Sequence, residues 1–158
     1  MAVKGGFIAM LFFLTAFFAR ARADGACKDA DLATLGFNAG TPDDAQIAKL
    51  ALSTSALRKV GKNSLSLTAA KDLDKIQTKL EKEFAKAGLT GVNSACVRCF
   101  AESTQCVAKH CKSQCLNEFS NKCTKCIKEH CHNGFSKCVG MPTIDPAEHQ
   151  DKIKNATQ

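Results

Sequence analysis

Nine of the ten cysteines lie between Cys96 and Cys138, and their spacing is nearly a mirror image. From Cys99 the steps to Cys106, Cys111 and Cys115 are 7, 5 and 4; from Cys123 the steps to Cys126, Cys131 and Cys138 are 3, 5 and 7. Pairing Cys99 with Cys138, Cys106 with Cys131, Cys111 with Cys126 and Cys115 with Cys123 gives position sums of 237, 237, 237 and 238. Constant sums are the arithmetic of two antiparallel segments folded about one turn. The pattern predicts an antiparallel helical hairpin stapled by a ladder of disulfides. Cys27 and Cys96 are left over, and joining them ties the N-terminal arm to the hairpin.

Helical geometry tests the ladder. Steps of 7 and of 3 or 4 keep a side chain near one face, whereas a step of 5 swings it by about 140°. The swing falls at the same rung on both arms, so the rungs stay in register while the seam rotates or a helix breaks. Asn133-Gly134 predicts a helix break before Cys138, which makes Cys99–Cys138 the least regular rung.

A second regularity competes with the mirror. Cys106-Val107-Ala108-Lys109-His110-Cys111 matches Cys126-Ile127-Lys128-Glu129-His130-Cys131, twenty residues on. Each is followed by a Phe-Ser…Lys-Cys ending, at Phe119 to Cys123 and at Phe135 to Cys138. A duplicated unit allows bridges within units, such as Cys111–Cys123 or Cys131–Cys138, and spacing alone leaves both schemes open. Cys96-x2-Cys99 and Cys123-x2-Cys126, with His110, His130 and His132, also have zinc-ligand spacing. Compartment decides against zinc here, because thiols oxidise along the secretory route.

That route is read from the first 23 residues. Lys4 is followed by an apolar run from Phe7 to Phe18, too short for the roughly 20 residues a spanning helix needs. Ala21-Arg22-Ala23 fits a small-x-small cleavage site, so a signal peptide over 1–23 and a mature chain from Asp24 are expected, secreted to the extracellular space. Removing Lys4, Arg20 and Arg22 leaves 19 basic and 15 acidic residues, a net charge of +4. So mild a charge, with only Arg58 and Arg98 as arginines, gives no stripe for nucleic acid. No later segment suits stable membrane insertion.

The remaining chain divides into an N-terminal arm and two amphipathic helices (24–92), the cysteine-rich hairpin (93–140) and a polar C-terminal tail (141–158). Asp24 to Gly40 reads as a loose arm. Thr41 caps a helix that carries Ile47, Leu50, Ala51 and Leu57 and stops at Gly61. Ser66 or Thr68 starts the next, where Leu73, Ile76, Leu80, Phe84 and Ala87 recur at helical spacing and Gly88 ends it. Ser94 caps a third helix to about Phe119, Ser120 to Lys122 turn, and a fourth helix runs from Cys123 to about His132. No strand alternation appears, and the fold class expected is all-α.

No catalytic constellation stands out. His110 within Cys106-x3-His110 resembles the histidine environment of secreted phospholipases A2, but Cys111 stands where they have Asp and their Gly-rich calcium loop is missing. The gap orders do not fit plant lipid-transfer proteins, saposins or insect odorant-binding proteins. The bridged helical hairpin resembles in architecture some water-borne pheromones of invertebrates and protists. That likeness is of architecture alone, but a rigid cross-linked hairpin suits a ligand acting at low concentration outside the cell, so a non-enzymatic extracellular signal, pheromone-like or a developmental inducer, without cofactor or metal, that binds a cell-surface receptor is expected. Lys109, His110, Lys112, Lys128, Glu129 and His130 are the candidate recognition surface. The alternatives are a membrane-active or lipid-binding defence protein and an extracellular coat component. Asn155-Ala156-Thr157 is an N-glycosylation acceptor pattern, with Asn155 the acceptor.

Overall fold

A computed structural model describes residues 25–64, 72–117 and 120–156. The expected signal peptide (1–23), the expected helix starts at Ser66 or Thr68, Phe119 and Thr157 lie outside the described residues. Within them the fold is all-α, with seven α-helices and no named strand. They are α1 (Asp29–Leu35), α2 (Asp44–Ser64), α3 (Leu73–Lys86), α4 (Ser94–His110), α5 (Asn121–His130), α6 (His132–Val139) and α7 (Gln150–Asn155). Short 3-10 turns lie at Gln114–Leu116 and Pro146–His149.

The chain from Gly25 to Gly40 is not a loose arm. It folds into α1 because Leu32, Leu35 and Phe37 bury their side chains in the main core. The buried Asp31 carboxylate accepts hydrogen bonds from the backbone N–H groups of Lys28 and Asn93, both at 2.8 Å, and so links α1 to the start of α4. Gly36 ends α1 at φ 76°, and a Cβ there would lie 2.4 Å from the Leu50 amide nitrogen. Only glycine permits both the left-handed turn and this approach of α1 to α2.

Several helix ends differ from the sequence expectation. The cap of α2 is Asp43, not Thr41: its carboxylate accepts from the Gln46 N–H at 2.7 Å. Gly61 does not stop α2, which runs on to Ser64 with Val60 and Ser64 buried. An interior glycine costs only about 1 kcal/mol, less than this packing returns. Asn93, not Ser94, caps α4, accepting from the Ala95 N–H at 2.9 Å. That helix ends at His110 instead of near Phe119. Asn133 and Gly134 do not break the second arm, because Phe135, Cys138 and Val139 pack into the core from a continuous α6. The break falls instead at Cys131, between α5 and α6.

All ten cysteines are bridged: Cys27–Cys96, Cys99–Cys138, Cys106–Cys131, Cys111–Cys126 and Cys115–Cys123. None is left as a thiolate for zinc. The mirror and the duplication turn out to be one fact. When a unit packs antiparallel on its own copy, the first cysteine of each meets the second of the other, giving 106–131 and 111–126. The contacts are reciprocal. Cys106 Sγ lies 3.6 Å from the His130 carbonyl oxygen, and Cys126 Sγ lies 3.6 Å from that of His110. The rings of His110 and His130 stack between the units, 5.9 Å apart. Both five-residue steps are absorbed the same way, since α4 and α5 each end at the His-Cys junction.

The last segment is not a polar tail. Ile144 and Ile153 are buried in the same core as Leu32 and Phe100. The Ile144 N–H donates to the Phe37 carbonyl at 3.1 Å, and α7 packs on α2. The described residues of segments 24–92 and 93–140 also share that core, which Phe100 centres. Its ring makes edge contacts with Phe37 and Phe135 at 5.0 Å and with Phe84 at 6.3 Å.

Candidate functional site

A cavity of about 320 Å³ opens beside Phe100, between α2, α4, α5 and the C-terminal segment. Its walls follow from helical periodicity. Helix α2 contributes Thr54, Leu57, Arg58, Gly61 and Lys62, and α4 contributes Phe100, Ser103, Thr104, Val107 and Ala108. Both sets step by 3, 1, 3 and 1, the spacing of a single helix face. Helix α5 adds Cys123, Thr124, Ile127 and Lys128, and residues 143–147 with Ile153 cross over from the C-terminal side. Phe37, Phe100 and Phe135 line one part of the space.

The lining is more apolar than its residue types suggest. The hydroxyls of Thr54 and Thr104 turn back onto their own helices. Thr104 Oγ1 donates to the Phe100 carbonyl at 2.8 Å, and Thr54 Oγ1 donates to the Leu50 carbonyl. Threonines that satisfy their hydroxyls this way are left with a methyl to present elsewhere. Gly61 keeps the α2 wall low: a Cβ built there meets nothing nearer than the Thr104 methyl, at 3.9 Å. Small side chains on an inward helix face are what leave the space open.

Charge collects on the same walls. Arg58, Lys62, Lys128 and Asp145 are among the described residues that line the cavity. Arg58 is half-buried and Lys62 and Lys128 are exposed. Lys128 Nζ lies 3.1 Å from Asp145 Oδ2, which ties α5 to the C-terminal segment. That hydrogen bond, reinforced by the carboxylate's charge, holds the Lys128 ammonium above its ordinary value of 10.5.

The six residues predicted as a recognition surface are all exposed. The structure does not gather them into one site. Lys128 belongs to the cavity, Glu129 lies 3.8 Å from Lys125, and His110 stacks on His130. Lys109 and Lys112 flank the end of α4. Asn155 is exposed at the end of α7. Sequence reasoning missed the cavity. Its signal was the matching pair of helical stripes with small residues at Gly61, Ser103 and Ala108. No helix among the described residues is long and apolar enough to cross a membrane. Comparison with protein families, with curated proteins and with solved structures finds no match to this chain.

Proposed function

We propose that this is an exported, non-enzymatic binding protein that holds one small apolar molecule in the cleft between α2, α4 and α5. One observation carries the reading: three helices each turn a single face toward a common space of about 320 Å³ whose lining is mostly small and apolar, with Arg58, Lys62 and Lys128 among it. That volume is at the small end of ligand pockets, which run from about 300 to 1,000 Å³. Five disulfides suit an oxidising compartment, and those at Cys106–Cys131 and Cys111–Cys126 fix the α4 wall against the α5 wall without a ligand, which lowers the ordering cost of binding. Export also exposes Asn155 to glycosylation, and protein recovered from the medium should begin at Asp24.

The test is titration of the oxidised, exported protein with the neutral dye N-phenylnaphthylamine. Saturable one-to-one binding is expected, and Gly61→Leu, which fills the cleft from the α2 wall, should abolish it. A folded wild-type protein that takes up no dye, or a variant that binds as well, rejects the reading.

A second reading is an extracellular signal recognised by a cell-surface receptor. The exposure of Lys109, His110, Lys112, Glu129 and His130 on a cross-linked hairpin favours it. It requires that cells of the source respond to the native protein and not to reduced, alkylated protein; equal responses would remove it.

A further inference from the structure

We propose that the tip of the hairpin docks reversibly on acidic lipid surfaces, with Leu116 entering the interface and Lys109, Lys112 and Lys122 meeting the head groups. Docking needs no ligand in the cleft, so the two readings stand or fall separately.

Charge is segregated along the expected mature chain. Residues 106–131, enclosed by the Cys106–Cys131 bridge, hold five lysines and two acids, Glu118 and Glu129. The other 109 residues hold 14 basic and 13 acidic side chains. Three of the four net positive charges thus fall in the tip. Part of that charge is already paired: Lys128 lies 3.1 Å from Asp145, and Lys125 lies 3.8 Å from Glu129. Lys109, Lys112 and Lys122 are exposed and make no ion pair among the described residues. Set against Glu118, these three still leave an excess of two positive charges.

Leu116 supplies the second argument. It is 73% exposed, more than any other large apolar side chain among the described residues. The turn cannot fold inward to cover it. Cys115 beside it is bridged to Cys123, Cys111 is bridged to Cys126, and the buried cluster of the tip is made of cysteines. The same bridges place Lys112 and Lys122 in this turn, next to Cys111 and Cys123. A turn that offers one apolar side chain and three unpaired cations suits an acidic bilayer. The head groups take the ammonium charges, and the acyl boundary takes the leucine. The flexible lysine stems let the charged ends stay at the head groups while the leucine goes deeper. A sulfated polysaccharide would satisfy the lysines and leave Leu116 in water. Being cross-linked beforehand, the turn loses little freedom on docking. Cys115 and Cys123 also border the cleft, so a docked tip brings that end of the cleft to the lipid.

Sedimentation of the exported, oxidised protein with phosphatidylcholine vesicles, with and without phosphatidylglycerol, tests this. Binding should require phosphatidylglycerol and weaken as salt rises. Lys112→Gln and Lys122→Gln should each weaken it about fivefold, and Leu116→Ser on the order of tenfold. Lys82→Gln removes one exposed charge from α3, in the base, and should change it little. The protein has no tryptophan, so Leu116→Trp adds a single reporter. Its emission should shift to the blue on vesicles that contain phosphatidylglycerol and stay unshifted on those without it. A native protein that does not bind acidic vesicles overturns the proposal. So does binding that survives Leu116→Ser, or that Lys82→Gln weakens as much as Lys112→Gln does. Binding to heparin that Leu116→Ser leaves intact, with unshifted emission on acidic vesicles, would assign the tip to sulfated polysaccharide instead.

Discussion

The two ends of the hairpin are held by different physics. At its base, 21 of the described residues, from α1, α2, α3, α4, α6, α7 and their flanking segments, form one buried core, with Phe84, Phe100, Leu50 and Leu80 fully enclosed. At its tip the buried cluster among the described residues is Cys111, Cys126 and Cys131, flanked by Cys106, Val107, Cys115 and Ile127. Three of the five bridges serve that tip. There the disulfides both restrict the unfolded chain and supply the buried atoms, because two short helical segments cannot enclose an apolar core of their own. The cleft lies where the two regimes meet: its walls include Phe37 and Phe100 from the base and Cys115 and Cys123 from the tip.

The comparison breaks most directly by removing the covalent part. Replacing Cys106, Cys111, Cys115, Cys123, Cys126 and Cys131 with alanine should unfold the tip and leave the base folded. Each bridge contributes on the order of 2–4 kcal/mol, although nested bridges do not add. Hydrogen exchange reads the outcome residue by residue. Amide protection in α5 and the end of α4 should fall to that of an unfolded chain while α2 and α3 keep theirs. Loss of protection in α3 to the same degree would mean that the base depends on the tip, against the division drawn above.

A milder test exchanges one apolar side chain in each region. Phe100→Ala removes the ring on which Phe37, Phe84 and Phe135 converge and should cost about 3–5 kcal/mol in denaturant unfolding. Ile127→Ala, half-buried in the tip, should cost about 1 kcal/mol, because little of its surface is withdrawn from water and the bridges hold its neighbours. Similar losses at the two positions would show that packing contributes as much to the tip as to the base.

The same division explains what the sequence made legible. Bridge positions are discrete, so the cysteine numbers narrow the pairing to the mirror ladder or to bridges within each duplicated unit, and the placed helices decide for the ladder. Helix ends depend on differences of about 1 kcal/mol, and tertiary burial overrides them at Gly61 and at Asn133-Gly134. The arm around Leu32 and Leu35 and the segment around Ile144 and Ile153 read as loose because each has too few apolar residues to form a face alone. Both become ordered only against the Phe100 core, which no local pattern reveals. The cleft is harder still. Its residues look like an ordinary mixed helix surface, and the space between them exists only once α2, α4 and α5 are placed. Among the residues singled out from the sequence for recognition, Lys128 alone borders it.

The smallest effect concerns the margin of the base, where charge and not burial joins α2 to α3. Glu83 lies 2.7 Å from Lys59 on α2 and 2.9 Å from Lys86 on its own helix. The hydrogen bonds from these two ammonium groups, Lys59 first, hold its carboxyl below the ordinary value of 4.5. A carboxyl depressed in the folded state binds its proton later than the unfolded chain does. Its contribution is therefore complete above its unfolded value and disappears as pH falls through the folded one. Glu83→Gln should lower stability slightly and uniformly above about pH 5, and the difference from wild type should close on further acidification. Raising salt should shrink the gap at neutral pH, since both lysines are exposed. Paired unfolding curves across the acid range measure this. A gap that persists undiminished in acid would assign the role of Glu83 to packing, and the α2–α3 margin would then belong with the apolar base.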